Sequence, residues 1–478
     1  MTETPRVAVL GAGPAGVGAA YYLQRAGAAR VTVYERSDRV GGIAGSFSFA
    51  GQRVDFGSHR LHPSCDAVVL ADLQRLLGGD LLKRPRHGRI RLRGRWIRFP
   101  LRPLDLLLRL DPRFGMGVAR DLLLRRRSRA HPGGSGQAES FESLLRARLG
   151  PTISEQFYLP YARKLWGLDP RRIAAEQARR RVSAGSFGRM LRKVFGRLPF
   201  VPGLGYDFYY YPREGYGQIS EAFAGAAREA GARIATGRTV VGLEAAPGGG
   251  WRVRTEDATA RASTEGAELV LSTLPVSVLA RVIEPSPPAG VLDAAARIRY
   301  RSMVLVYAHL AVDRFSAFDA HYFPEESVAI TRLTEPKHYA DLSEPAGSTV
   351  LCAELPCEQG DDVWNASPGE LGERLARDLQ SVGLPLPKPP LEIGVRRLPE
   401  AYPVYEAGFE EPLARLQEWL GQFPALVSFG RQGLFVHDNT HHALFMARCA
   451  AECLSGARFD HARWRESLEV FATHVVED

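Results

Sequence analysis

The sequence predicts an α/β protein: a discontinuous, Rossmann-like dinucleotide-binding domain with an α+β substrate domain inserted into it. Three observations predict this. Residues 6–35 read as strand, glycine-rich turn, helix and strand, the βαβ unit of a parallel nucleotide-binding sheet. Segments of the same α/β type return near 206–280 and again at the C-terminus. Between them lie a helical stretch and a second set of alternating strands. The parsing is 1–75, 206–285 and 406–478 for the cofactor domain, 76–205 for a mainly helical insertion, and 286–405 for the substrate-domain sheet.

Element by element, RVAVL (6–10) is an apolar run suited to a buried parallel strand, and VTVYE (31–35) is the next strand. Residues 66–128 are expected to be largely helical, with an arginine-rich stretch over 101–127, followed by a polar loop at 127–140 and further helix over 141–200. RIATGRTVVGLEAA, GWRVRTE and ELVLSTLP read as strands, as do 300–311 and 347–355. ALVSFG (425–430) is the last expected strand of the nucleotide sheet, and 442–454 a helix with small residues on one face.

The composition is that of a globular protein, 45% hydrophobic and 24% charged over 478 residues. The net charge of +9 comes almost wholly from arginine, since lysine occurs only at 83, 164, 193, 337 and 388. Arginine suits phosphate and carboxylate recognition through its planar fork. No nucleic-acid module accompanies the charge, so nucleic acid is not an expected partner. No stretch approaches 18 uninterrupted apolar residues, so no spanning segment is expected. Peripheral membrane contact through 101–127 is weighed against a soluble helix with a solvated arginine face, and the soluble helix is preferred. Five cysteines without a CxxC pair, and an N-terminus that begins a strand rather than a signal peptide, lead to an expectation of a reducing cytoplasm.

The cofactor motif is Gly11, Gly13 and Gly16 in G-x-G-x-x-G, with Ala20 following. Gly11 permits the tight turn, Gly13 the approach of a pyrophosphate, and Gly16 close packing of helix on strand. Glu35 closes the second strand, where a carboxylate accepts hydrogen bonds from ribose hydroxyls and repels a 2′-phosphate.

The segment E-R-S-D-R-V-G-G after that strand resembles the glutathione-reductase-like flavoproteins, which include amine oxidases and protoporphyrinogen oxidases. The resemblance implies FAD, with Gly41 and Gly42 passing close to the ribityl chain and flavin, while Arg36 and Arg39 read either as first-turn or phosphate-facing cations or as a solvated face. DFGSHRLH (55–62), YARKLWGLDP (161–170), TRLTEPKHY (331–339), AYPV (401–404) and FGRQGLFVHDN (429–439) resemble the UDP-galactopyranose mutase branch. That branch implies His59 and His62 beside the flavin, as proton gates or as structural residues fixing the loop. It implies Gly430, Arg431 and Asn439 in a segment closing over the cofactor, and Arg332 as an arginine that grips substrate diphosphate. Trp166 is either an aromatic wall of the substrate cavity or a core residue, and Tyr211 shares a strand face with Tyr209 that could line a pocket. Lys337 and His338 stand close enough to Arg332 to add positive potential.

The chain departs from the mutase pattern at three places. Ala184 stands where a second diphosphate arginine is expected, His437 replaces a phosphate-contacting tyrosine, and His441 and His442 follow Asn439-Thr440 where an acid is usual. Leu305 occupies the place of the amine oxidases' flavin-facing lysine. His62, His441 and His442 lack an acidic ligand pattern, so no metal site is expected. The expected activity is an FAD-dependent oxidoreductase that accepts hydride at flavin N5 from a small anionic substrate. A redox-neutral mutase-like isomerase using reduced flavin, and a non-catalytic flavin-binding partner protein, are the alternatives. None of these motifs sets the oligomeric state.

Overall fold

Five parallel strands form the central sheet, in the order Leu426–Ser428, Leu269–Ser272, Arg6–Leu10, Arg30–Tyr34, Arg233–Ala235. They come from three separate stretches of the chain. The computed structural model describes residues 4–99, 109, 111–128, 139–181, 208–456 and 458–476. Ala184, and parts of the expected loop at 127–140 and helix at 141–200, lie outside them.

The sheet holds because its inner strands are apolar on both faces: Val7, Val9 and Leu10 are fully buried. The helix Pro14–Arg25 covers one face with a surface of alanine and glycine. A Cβ on Gly18 would lie 3.0 Å from Ala447 and Leu444, so the helix Thr440–Glu452 can approach only because Gly18 has none. A four-stranded sheet, Ala262–Ala267, Trp251–Glu256, Thr239–Ala245 and Ile283–Glu284, adjoins this domain.

The second large sheet has seven strands: Glu392–Pro403, Tyr300–Leu310, Thr349–Cys357, Arg332–Thr334, Ala320–Tyr322, Gly88–Leu92, Arg95–Phe99. Residues of Tyr300–Leu310 alternate between two cores. Val304 and Val306 meet Leu371, Leu375 and Leu379 of the helix Pro368–Ser381. Met303, Leu305 and Tyr307 meet the helical layer that contains Phe141, Leu165 and Trp166.

The expectation of helix over 66–128 is corrected. Helices occupy Ala67–Leu77 and Pro112–Ser128, but Leu81–Pro85, Gly88–Leu92 and Arg95–Phe99 are strands, and the last two join the seven-stranded sheet. The physical reason is alternation. In G-R-I-R-L-R-G-R-W-I-R-F, Ile90, Leu92 and Ile97 point into the core while arginines point away. Arg93 and Gly94, at φ 53° and 73°, make the two-residue turn between paired Leu92 and Arg95.

All five cysteines are free thiols. Among the described residues, no helix is long and apolar enough to cross a membrane.

Candidate active site

A cavity of about 590 Å³ opens beyond the carboxyl ends of the parallel strands, the usual ligand position in such sheets. The turn after the first strand, the loop after Arg30–Tyr34, and the start of the helix Thr440–Glu452 line one part of it. The loop at 57–62, Tyr322, Arg332 and residues 396–400 line the rest.

The glycines of the first turn divide the work. Gly11 is at φ +95°, and a Cβ there would lie 2.4 Å from Thr273 Oγ1. On Gly16 it would lie 1.9 Å from the Gly11 carbonyl oxygen, so the crossing of helix and turn excludes any side chain. Gly13 differs: its φ is an ordinary −68°, and an added Cβ meets no protein atom within 4 Å. That space belongs to the cavity, directly before the N-terminus of Pro14–Arg25, where free N–H groups favour an anion.

Glu35 lines the cavity and is held rigidly, its carboxylate accepting from the Ala12 N–H at 2.8 Å, the Ser37 N–H at 2.9 Å and the Ser37 hydroxyl at 2.8 Å. Gly41 and Gly42 take φ +107° and +53°. Gly41 donates its N–H to the Ala12 carbonyl at 2.8 Å and supports the turn from behind, while Gly42 reaches the cavity itself. Gly430, at φ +77°, packs so tightly on Ala15 that a Cβ would lie 2.9 Å from that methyl group, and this sets Arg431 on the lining. Asn439 caps the helix Thr440–Glu452 reciprocally with His442, so a second helix N-terminus faces the cavity.

The opposite wall is rich in arginine. Arg332 spends Nε and Nη2 on Glu354, both at 2.9 Å, and Nη2 also lies 3.4 Å from the Ser58 carbonyl, leaving Nη1 for the cavity. Arg60 lies between the Tyr209 and Tyr339 rings and pairs with buried Asp319 at 3.1 Å. Arg396 and Arg397 line the cavity and make no ion pair among the described residues. His59 stacks on Tyr216, with ring centroids 5.1 Å apart. Burial, then the Arg332 and Arg431 charges, push the His59 imidazole down to about 3, so it is neutral near pH 7.

A dinucleotide fits this arrangement: an open approach at Gly13, two helix N-termini for phosphate, and a fixed carboxylate for ribose. Residues 14–444 match the profile of the flavin-containing amine oxidoreductases. The chain belongs to that family. Its cofactor is FAD, and the protein is an FAD-dependent enzyme. No curated protein matches the chain. Among solved structures, the flavoprotein is similar to a reduced UDP-galactopyranose mutase at 21% identity and TM-score 0.80, covering 99% of this chain and 100% of that one. It is similar to a putative protoporphyrinogen oxidase from Exiguobacterium sp. 255-15 at 19% identity and TM-score 0.67, covering 95% and 99%. It is also similar to a putrescine oxidase bound to putrescine, at 18% identity and TM-score 0.63, covering 95% and 99%. At these identities the likeness is one of fold.

The structure brings Gly11, Gly13, Glu35, Arg36, Gly42, His59, His62, Arg332, Arg431 and Asn439 of the flavoprotein to one cavity. Three expected substrate contacts are corrected. Trp166 is buried against Phe141 in the helical layer. Tyr211 is buried and donates its hydroxyl to Asp55 at 2.6 Å. His437 is buried between Tyr402 and Tyr405. None of the three lies on the cavity lining. The expected potential from Lys337 and His338 is corrected too. Lys337 is turned inward onto Asp313 and three carbonyls, and His338 onto Ser316 and Glu335. His62 lines the cavity, but its Nδ1 is tied to Ser64 at 2.6 Å and braces the loop.

Sequence reasoning missed Arg60, Tyr322, Arg396, Arg397 and Asp438 on the lining. Asp438 accepts from His474 Nδ1 at 2.6 Å, across 36 residues. His442 stacks on His474 at 4.2 Å and 15°, and His441 packs on His442 at 4.0 Å. The three ligand-type atoms of Asp438, His442 and His474 lie within 4.8 Å of one another. The two imidazoles nevertheless lie in nearly parallel planes, so their lone pairs do not converge on one point. Arg396 and Arg397 lie on the strand Glu392–Pro403, which the sequence reading did not single out within 286–405, and their charge carried no positional signal.

Proposed function

We propose that this flavoprotein oxidises a small anionic substrate, one that carries a phosphate or carboxylate group. The observation that carries the reading is the charge of the cavity lining: nine arginines against Glu35, Glu400 and Asp438. Asp319, Glu354, Asp38 and Asp257 offset four of the nine. Of the rest, Arg396 and Arg397 make no ion pair among the described residues and keep the wall opposite the cofactor motif positive. A cationic amine would enter this field against repulsion, whereas an anion is drawn in. Leu305, buried at the position the resemblance gives to the amine oxidases' lysine, agrees with this.

FAD supplies, when bound, a two-electron acceptor. The chain's own residues do the rest. Arg396 and Arg397 attract the anion at the rim, and Arg332 Nη1 fixes it with its fork pre-set by Glu354. Neutral His59, held flat on Tyr216, positions substrate as a hydrogen-bond partner. Being neutral, it does not deliver a stored proton at pH 7.

The test uses the FAD-loaded protein and two probes of opposite charge, uridine diphosphate and putrescine, followed by perturbation of flavin absorbance. The reading expects the anion to bind, more weakly as salt is raised, and Arg396→Gln/Arg397→Gln to weaken it about tenfold. Tighter binding of putrescine refutes it. A redox-neutral, mutase-like isomerisation is the second reading, favoured by one observation: Arg332, the diphosphate arginine of the resemblance, does line the cavity beside His59.

A further inference from the structure

Seven large hydrophobic side chains are exposed among the described residues, and three of them, Met116, Leu123 and Leu124, lie on the helix Pro112–Ser128. They are 64%, 66% and 53% exposed. The helix is anchored by its other side. Phe114 and Val118 enter the core, buried Asp121 accepts from the Thr152 N–H at 2.7 Å, and Gly117 sits where a Cβ would lie 2.8 Å from Thr152 Oγ1. That anchorage fixes the rotation of the helix. At 100° per residue, Met116, Arg120 and Leu123 then fall within about 60° of one another, opposite Phe114 and Val118, with Arg113 and Leu124 together on one flank.

The outward face is therefore both apolar and basic. It departs from the solvated arginine face expected from sequence, because leucine and methionine share it. The helix carries five arginines and one acid, Asp121, and that acid is turned inward. Arg120 is 70% exposed, and among the described residues its ion pair is a long one, 3.7 Å to Asp121. Arg113 and Arg120 both have long apolar stems that can lie along a hydrophobic surface while their charged ends stay in water.

We propose that this face docks on the surface of an anionic lipid bilayer, with Met116, Leu123 and Leu124 entering the headgroup boundary and Arg113 and Arg120 pairing with lipid phosphates. The charge selects the occupant. A basic face without an outward acid repels a second copy of itself, whereas it complements an anionic leaflet, and the apolar residues gain from leaving water. The proposal is independent of the reaction at the cavity.

The test is sedimentation of the full-length, FAD-loaded protein with vesicles of phosphatidylcholine mixed with phosphatidylglycerol, and of phosphatidylcholine alone. The protein is expected to pellet with the mixed vesicles and at least tenfold less with the neutral ones, and to be released by salt. Arg113→Gln and Arg120→Gln are each expected to lower partitioning about fivefold. Met116→Ser/Leu123→Ser is expected to lower it at least tenfold, with melting temperature and flavin content unchanged. Absence from the mixed vesicles overturns the proposal. So does pelleting that the variants leave unaltered. A fall in melting temperature in Met116→Ser/Leu123→Ser would mean that the chain itself covers the face, and a variant that dissociates an oligomer would mean that a second copy does. Either result overturns it.

Discussion

Replacing Gly13 by valine separates the cofactor from the fold. In the protein alone the substitution meets no steric objection: φ is −68°, ψ is 178°, and nothing lies within 4 Å of the new Cβ. The apoprotein should therefore unfold within about 0.5 kcal/mol of wild type. The side chain instead fills the space before the helix Pro14–Arg25, through which a diphosphate must reach the helix N–H groups. Losing two charge-assisted hydrogen bonds there, at roughly 1.5–3 kcal/mol each, weakens FAD by about 3–6 kcal/mol. The dissociation constant should rise by two to four orders of magnitude, at about 1.4 kcal/mol per decade. Reconstitution of apoprotein with FAD, followed by quenching of flavin fluorescence, measures the first quantity, and urea unfolding of the apoprotein the second. FAD affinity within threefold of wild type would refute the reasoning. So would an apoprotein destabilised by more than about 2 kcal/mol, because the space would then not be free. Gly16→Ala is the control in the opposite sense: its clash with the Gly11 carbonyl should disable folding and cofactor binding together.

Three further predictions follow from the same geometry. Arg332→Ala should destabilise the protein by about 3–5 kcal/mol, because it leaves the Glu354 carboxylate buried without its partner; Arg332→Met/Glu354→Gln should recover most of that in urea unfolding while still losing anion binding. His59 is depressed from 6.5 to about 3, so the unfolded chain takes up a proton below about 6.5 that the folded chain refuses. Wild type should lose stability as pH falls through that window and His59→Gln should lose less; equal acid profiles would count against a neutral His59. Asp55 is raised from 3.8 to about 6 by burial, against the pull of Ser46, Tyr211 and the Tyr216 N–H. Its contribution is present below about 4 and lost as pH rises through about 6, so Asp55→Asn should gain roughly 3 kcal/mol on wild type between those limits; a difference independent of pH contradicts the assignment.

The cofactor half of the site was legible because its constraints are local. Gly11, Gly13, Gly16 and Glu35 lie within one βαβ unit, each dictated by a turn, a close approach or a strand end, and Gly42 follows just beyond it in the segment that carries the family resemblance. The substrate half was not, because it depends on strand register and on which face of an element meets the cavity. Arg332 pairs with Glu354 directly across the ladder, not with nearby Glu335, and no spacing in the sequence gives that register. Tyr211 was placed correctly on one strand face with Tyr209, but that face turned out to be the core side, against Asp55. Asp438 meets His474 only because the C-terminal segment folds back past the helix Thr440–Glu452. The hairpin at 88–99 was the avoidable error, since arginine alternating with Ile, Leu, Trp and Phe around Arg93-Gly94 is a strand pattern.

The most direct test of net oxidation of an anionic substrate is an anaerobic one, on the FAD-loaded protein. The oxidised protein is titrated with a panel of phosphorylated and carboxylated metabolites and matched neutral and cationic analogues, while flavin absorbance is followed. The account predicts bleaching by an anionic member, in a ratio of one substrate per flavin, which Arg332→Met/Glu354→Gln slows at least tenfold. Conversion of UDP-galactopyranose to its furanose isomer by the dithionite-reduced protein, with no member of the panel bleaching the oxidised flavin, would contradict it.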